Sequence, residues 1–259
     1  MDRPLTPAGA SRFPGLLFPA APWLALAGGM SLAACQWRIF AHTPAAENMG
    51  LSQKIFYLHL PLAWWGLFSF FLVFAAGIAF LKTRRAMWDS LGLAATEAGL
   101  LFSSLALLSG MIWAHRAWGV WWTWDARLST TLVMCFLYAG CLLIQGLRLP
   151  PERRRAIRAA LGIAAFLDVP LVFFSARLWS YIHPPAITLD PEMKFTLLAA
   201  LAALGPLWMG LLLLRWQLAE DETRLETLAR ERLLREPLLL PGRAAPEADG
   251  TITSTEQCP

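Results

Sequence analysis

Charge is what this sequence has least of. Only 15% of its 259 residues are Asp, Glu, Lys or Arg, while 57% are hydrophobic. A soluble domain carries about 25% charged residues, so the deficit excludes a water-soluble globule and makes the bilayer the first reading. The net charge of +4 does not indicate nucleic acid, because the basic residues fall in short clusters between apolar runs instead of gathering on one soluble face. Cysteine is also sparse. Positions 35, 135, 141 and 258 form no CxxC and no metal-ligand spacing, so Cys35, Cys135 and Cys141 read as small packing residues and Cys258 as part of a loose tail. There is no long polar domain and no internal repeat.

What the sequence does have is six apolar runs, at about 23–40, 58–81, 91–113, 128–147, 159–176 and 195–214. Each approaches the ~20 residues that span ~30 Å of hydrocarbon. The expected fold is an all-α integral membrane protein with six transmembrane helices. Residues 1–22 hold five prolines and form an N-terminal segment; residues 23–215 form the membrane domain. Residues 216–240 read as a charged helix ended by Pro237, and 241–259 as a disordered tail. Leu32-Ala33-Ala34-Cys35 looks like a lipoprotein processing site. The apolar run continues through Trp37, Ile39 and Phe40, however, so an uncleaved anchor is the simpler reading. With the N-terminus inside, the inner segments hold sixteen Lys and Arg and the outer ones six. That asymmetry puts both termini in the cytoplasm.

The middle outer loop, 114–129, is the densest stretch: Trp118, Trp121, Trp122 and Trp124 fall within seven residues and are followed by Asp125 and Arg127. On a helix, positions 118, 121, 122 and 125 would share one face carrying three indoles and a carboxylate. Such a platform suits a membrane interface, where Trp accumulates, or a large planar ligand. All four histidines (42, 59, 115, 183) lie in the outer loops or at their margins. Two neutral imidazoles from separate loops can ligate a haem iron from opposite faces. The indoles would then cover the macrocycle, and Arg116, Arg127 or His115 could meet its propionates. Plainer readings stand beside this one. The indoles also fit an interfacial belt, Asp125 fits the N-cap of the fourth span, and His42 and His115 fit plain hydrogen bonding at the interface. Glu97 and Asp168 are carboxyls within spans and receive no role.

The run from Trp118 to Ser129 resembles the tryptophan-rich WWD signature of the haem-handling proteins of cytochrome c biogenesis. Tyr57-Leu-His59-Leu-Pro61 and Trp179-Ser-Tyr-Ile-His183 resemble the two flanking histidine motifs of the CcmC family, over about residues 15–215. Pro184-Pro185 stands where that family commonly has Gln, and Ser129 where it often has Thr. The resemblance implies a bacterial inner-membrane protein that presents haem b on the periplasmic face, with His59 and His183 as axial ligands. Trp118, Trp121, Trp122, Trp124 and Asp125 would form its platform. It further implies delivery to the haem chaperone CcmE, beside the ABC transporter subunits CcmA and CcmB and the single-span CcmD. The expected action is presentation, with positioning promoting covalent attachment to the chaperone, and not independent turnover. The rival expectations are a transporter carrying haem across the membrane and a haem lyase of the CcsA or CcmF kind.

Overall fold

The computed structural model describes residues 17–43, 50–178 and 190–235. These residues form α1 (Ala21–His42), α2 (Gln53–Thr83), α3 (Ala86–Trp118), α4 (Ala126–Leu143), α5 (Pro151–Ala165), α6 (Asp168–Leu178) and α7 (Pro191–Arg235), with short 3₁₀ turns between some of them. No strand occurs among the described residues. Six segments are long and apolar enough to cross a membrane, with α5 and α6 together supplying the fifth, so the all-α, six-span expectation is met. Two compact units divide the chain at Asp221. The first contains the helices up to Asp221; the second begins at Glu222 and is described to Arg235 as the charged end of α7.

The helix ends follow from local chemistry. Pro22 sits in the first turn of α1, where its missing N–H costs nothing. Arg84, at φ +55°, turns α2 into α3 and donates its N–H to the Phe80 carbonyl at 2.7 Å. Prolines inside helices behave in two ways. Pro61 and Pro206 lie within continuous helices. Between α5 and α6, by contrast, the chain breaks at Phe166–Leu167, where sequence periodicity expects one run over 159–176. Pro170 supplies the reason: it has no N–H to offer the Phe166 carbonyl, which accepts from Val169 at 3.1 Å instead. Asp168 therefore opens a new helix.

The bundle is built on the α2–α3 hairpin, against which α5 packs on α2 and α4 on α3, with α6 against α4. Its core holds Phe70, Ala94, Ala95, Met134, Tyr138 and Trp208. Between Phe70 and Tyr138 the rings stack at 3.7 Å. Small residues set the approach distances, as they do wherever membrane helices pack without a hydrophobic drive. A Cβ on Gly99 would lie 2.4 Å from the Phe70 ring, and one on Gly28 would lie 2.0 Å from the Leu207 backbone. Ion pairs tie the helices where apolar packing does not. Arg215 of α7 grips Glu97 of α3 through two hydrogen bonds of 2.6 and 2.8 Å. Arg155 and Arg158 of α5 pair with Asp89 of α3, and Arg158 also reaches Gln145.

Candidate functional site

Helix α3 has to stop before the tryptophan loop can form. Gly119, at φ +76°, adopts the left-handed conformation that suits a helix C-cap and donates its N–H to the His115 carbonyl at 3.0 Å. Residues 119–125 are not helical, which corrects the expectation that 118, 121, 122 and 125 share one helical face. The loop closes at Asp125. Its buried carboxylate accepts from the Leu128 N–H at 2.9 Å and the Thr123 hydroxyl at 3.0 Å. Asp125 is thus the N-cap of α4 and a brace for the loop.

Beneath the loop lies a mainly apolar cleft of about 320 Å³. Its floor is α3 from Ser103 to Trp118; one wall is α2 from His59 to Leu67, and the other combines Arg127, Leu128, Thr131 and Met134 of α4 with Val172 and Phe173 of α6. Trp118, Trp121 and Thr123 bound it at the loop end. Of the residues singled out in the sequence, His59, Trp118, Trp121 and Arg127 line this cleft. Trp122, Trp124, Asp125 and Arg116 are not among its lining residues; Trp122 and Trp124 meet edge to face at 5.7 Å. His183, and Trp179 of the same motif, lie outside the described residues.

His59 is oriented by α3. Its Nδ1 is 2.9 Å from the Ala106 carbonyl and 3.2 Å from the Ser109 hydroxyl. Ser109 itself donates to the same carbonyl at 3.0 Å. A carbonyl can only accept, so Nδ1 carries the hydrogen and the ring's lone pair resides on Nε2. This is how a second-layer acceptor prepares an imidazole to bind metal. Gly110 makes the arrangement possible, since a Cβ there would stand 3.0 Å from His59 Cε1. Pro61, two residues on, removes the N–H that would have bonded the Tyr57 carbonyl. Trp113 packs at 5.8 Å from the His59 ring and 5.7 Å from Trp118. Its indole N–H is buried with no acceptor among the described residues.

Two features of the site were not legible in the sequence. His115 stacks flat on Trp121, with ring centres 4.1 Å apart and planes 7° apart. Gly110 was not singled out at all; a glycine one turn below Trp113 was the available signal. Glu97, given no role from sequence, bonds the neighbouring helix through Arg215. Cys135 and Cys141 are buried and free, and Cys135 donates weakly to Ser103 at 3.5 Å.

The family described as CcmC, heme exporter protein C, matches residues 5–235. The heme exporter protein C of Bradyrhizobium diazoefficiens is 32% identical over 179 residues, covering 69% of this chain and 68% of the relative. That of Escherichia coli K12 is 32% identical over 179 residues, covering 67% and 72%. A putative cytochrome c biosynthesis ccmC-like mitochondrial protein of Marchantia polymorpha is 28% identical over 143 residues, covering 55% and 60%. With residues 5–235 of 259 matched, the chain belongs to the heme exporter protein C family.

Proposed function

We propose that this multi-pass membrane protein binds haem b in the cleft under the tryptophan loop and hands it to a haem chaperone of the CcmE kind during maturation of c-type cytochromes. The cleft would face the periplasm of a bacterial inner membrane, with both termini in the cytoplasm. His59 would supply one axial nitrogen and His183 the other. Trp118 and Trp121 would cover the macrocycle, and Arg127 would meet a propionate with a charge-assisted hydrogen bond. Trp122, Trp124 and Arg116 would serve the handover surface, and Asp125 would hold the loop that carries them.

One observation carries this reading: an imidazole held by a carbonyl in its metal-binding tautomer, inside an apolar cleft capped by indoles. The family membership supports it, because curated relatives are named for haem export. A cleft of this size sits near the lower end of small-molecule sites, which suits a ligand held with one edge outside and accessible to a partner. Positioning that edge lowers a bimolecular barrier without acid–base groups. Release would draw on the CcmA–CcmB transporter, with CcmD as the accompanying single span. Visible spectra of the purified protein and of its His59→Ala and His183→Ala variants test the ligands. Each variant is expected to lose the low-spin haem spectrum; retention of that spectrum in both would overturn the assignment.

A further inference from the structure

The walls of the cleft are unequal. Its floor from Ser103 to Ala114 covers about 16 Å of α3 at 1.5 Å per residue, roughly half the depth of the hydrocarbon. The α2 wall packs on α3, and the α4 wall packs on α3 and α6, while α2 and α4 are not principal neighbours of each other. The two walls meet deep in the bundle, where Phe70 of α2 stacks on Tyr138 of α4 at 3.7 Å, and outward of that pair they hold the cleft between them. Trp64 of α2 and Phe173 of α6 both line the cleft, yet they are 54% and 53% exposed. Both lie inside membrane-spanning segments, Gln53–Thr83 and Pro151–Ser175. Exposure there is exposure to acyl chains, not to water. Polarity is graded along the same cleft. His59, Thr123 and Arg127 line its loop end, whereas Leu67, Leu107, Met134 and Val172 line its interior.

Resting on the haem reading above, we propose that the ligand reaches the cleft sideways from the bilayer, passing between Trp64 and Phe173. A flat apolar body with an anionic end, already dissolved in the membrane, meets apolar side chains along this path. Its carboxylates stay at the level of Arg127 throughout. Approach from water through the loop would instead drag the apolar body past the cationic and hydrogen-bonding rim first.

The full-length protein, reconstituted in lipid vesicles, allows a direct test. Haem is supplied either dissolved in the protein's own bilayer or on an aqueous carrier, and the Soret change is followed in time. Uptake is expected to rise with haem per lipid at constant aqueous haem. Phe173→Trp, which adds bulk at the opening, is expected to slow uptake and release about tenfold each, a larger change in either rate than in their ratio, because a doorway acts on both rates together. Trp64→Ala, which widens the opening, is expected to speed both. Uptake that follows aqueous haem alone would overturn the lateral route. So would variants that change the release rate alone and leave uptake untouched. Failure of the wild-type protein to bind haem from either source would overturn the haem reading itself, and the route with it.

Discussion

Replacing Asp125 separates a residue that shapes the loop from one that touches the ligand. Its carboxylate makes two hydrogen bonds, one to the Leu128 N–H and one to the Thr123 hydroxyl, and it is almost fully buried. Loss of an N-cap to alanine costs about 0.5–2 kcal/mol. Leaving the Thr123 hydroxyl without its acceptor adds about 1 kcal/mol. A total near 2 kcal/mol corresponds to about a thirtyfold fall in the ratio of ordered to disordered loop, which is the upper bound on the loss of affinity. Asparagine caps as well as aspartate: its Oδ1 keeps the Leu128 N–H, and its Nδ2 in place of Oδ2 can donate to the Thr123 hydroxyl oxygen once that hydroxyl turns, so Asp125→Asn should lose only a few tenths of a kcal/mol. The assay is haem affinity by Soret titration, together with amide hydrogen exchange across 119–128. The expected order is wild type close to Asp125→Asn, with Asp125→Ala weaker by up to about thirtyfold and faster-exchanging at Leu128. If Asn and Ala are equally impaired while exchange at Leu128 stays slow, the negative charge itself is what matters, and the capping argument fails.

Four further outcomes follow from the same geometry. Gly110→Ala places a methyl against the His59 ring, so it should shift the low-spin spectrum while leaving the thermal midpoint within a few degrees. Gly119→Ala meets open space but a left-handed backbone, which costs about 1–2 kcal/mol; faster proteolysis within the 119–125 loop is the readout. His115→Ala removes a stack of the kind worth about 0.5–1.5 kcal/mol and should weaken haem binding up to about tenfold, whereas His115→Phe should restore most of it. For Glu97 and Arg215, single substitutions to Gln and Met should each destabilise the detergent-purified protein. Their double-mutant cycle should return about 1–3 kcal/mol of coupling, read from thermal midpoints.

Much of the fold was readable because lipid imposes so few choices. A run of apolar residues near 20 long must be a helix, and that argument located all six spans. It failed where two local effects compete. Pro61, Pro170 and Pro206 look alike in sequence, yet only Pro170 accompanies a break, because tertiary packing decides whether an orphaned carbonyl is tolerated. The site was legible by composition and not by shape. Of the residues singled out for the candidate site, Trp118, Trp121, His59 and Arg127 line one cleft, Trp122, Trp124, Asp125 and Arg116 do not, and His183 lies outside the described residues. The helical face drawn through 118, 121, 122 and 125 was wrong, because Gly119 ends α3 first, and a glycine inside a Trp-rich run was the cue. Neither the Ala106 carbonyl that orients His59 nor the stack of His115 on Trp121 could be read from periodicity. Both depend on which helix faces which.

The close crossing of α1 and α7 bears on how the molecule is made. Gly28 abuts Leu207, Gly210 abuts Ala25, and Ser31 donates to the Ala203 carbonyl at 2.8 Å. Helix α1 can settle on α2 early, through Ile39 against Phe56 and Tyr57 and through the bond from Lys54 to the Phe40 carbonyl, but its glycine face stays unfilled until α7 has been synthesised.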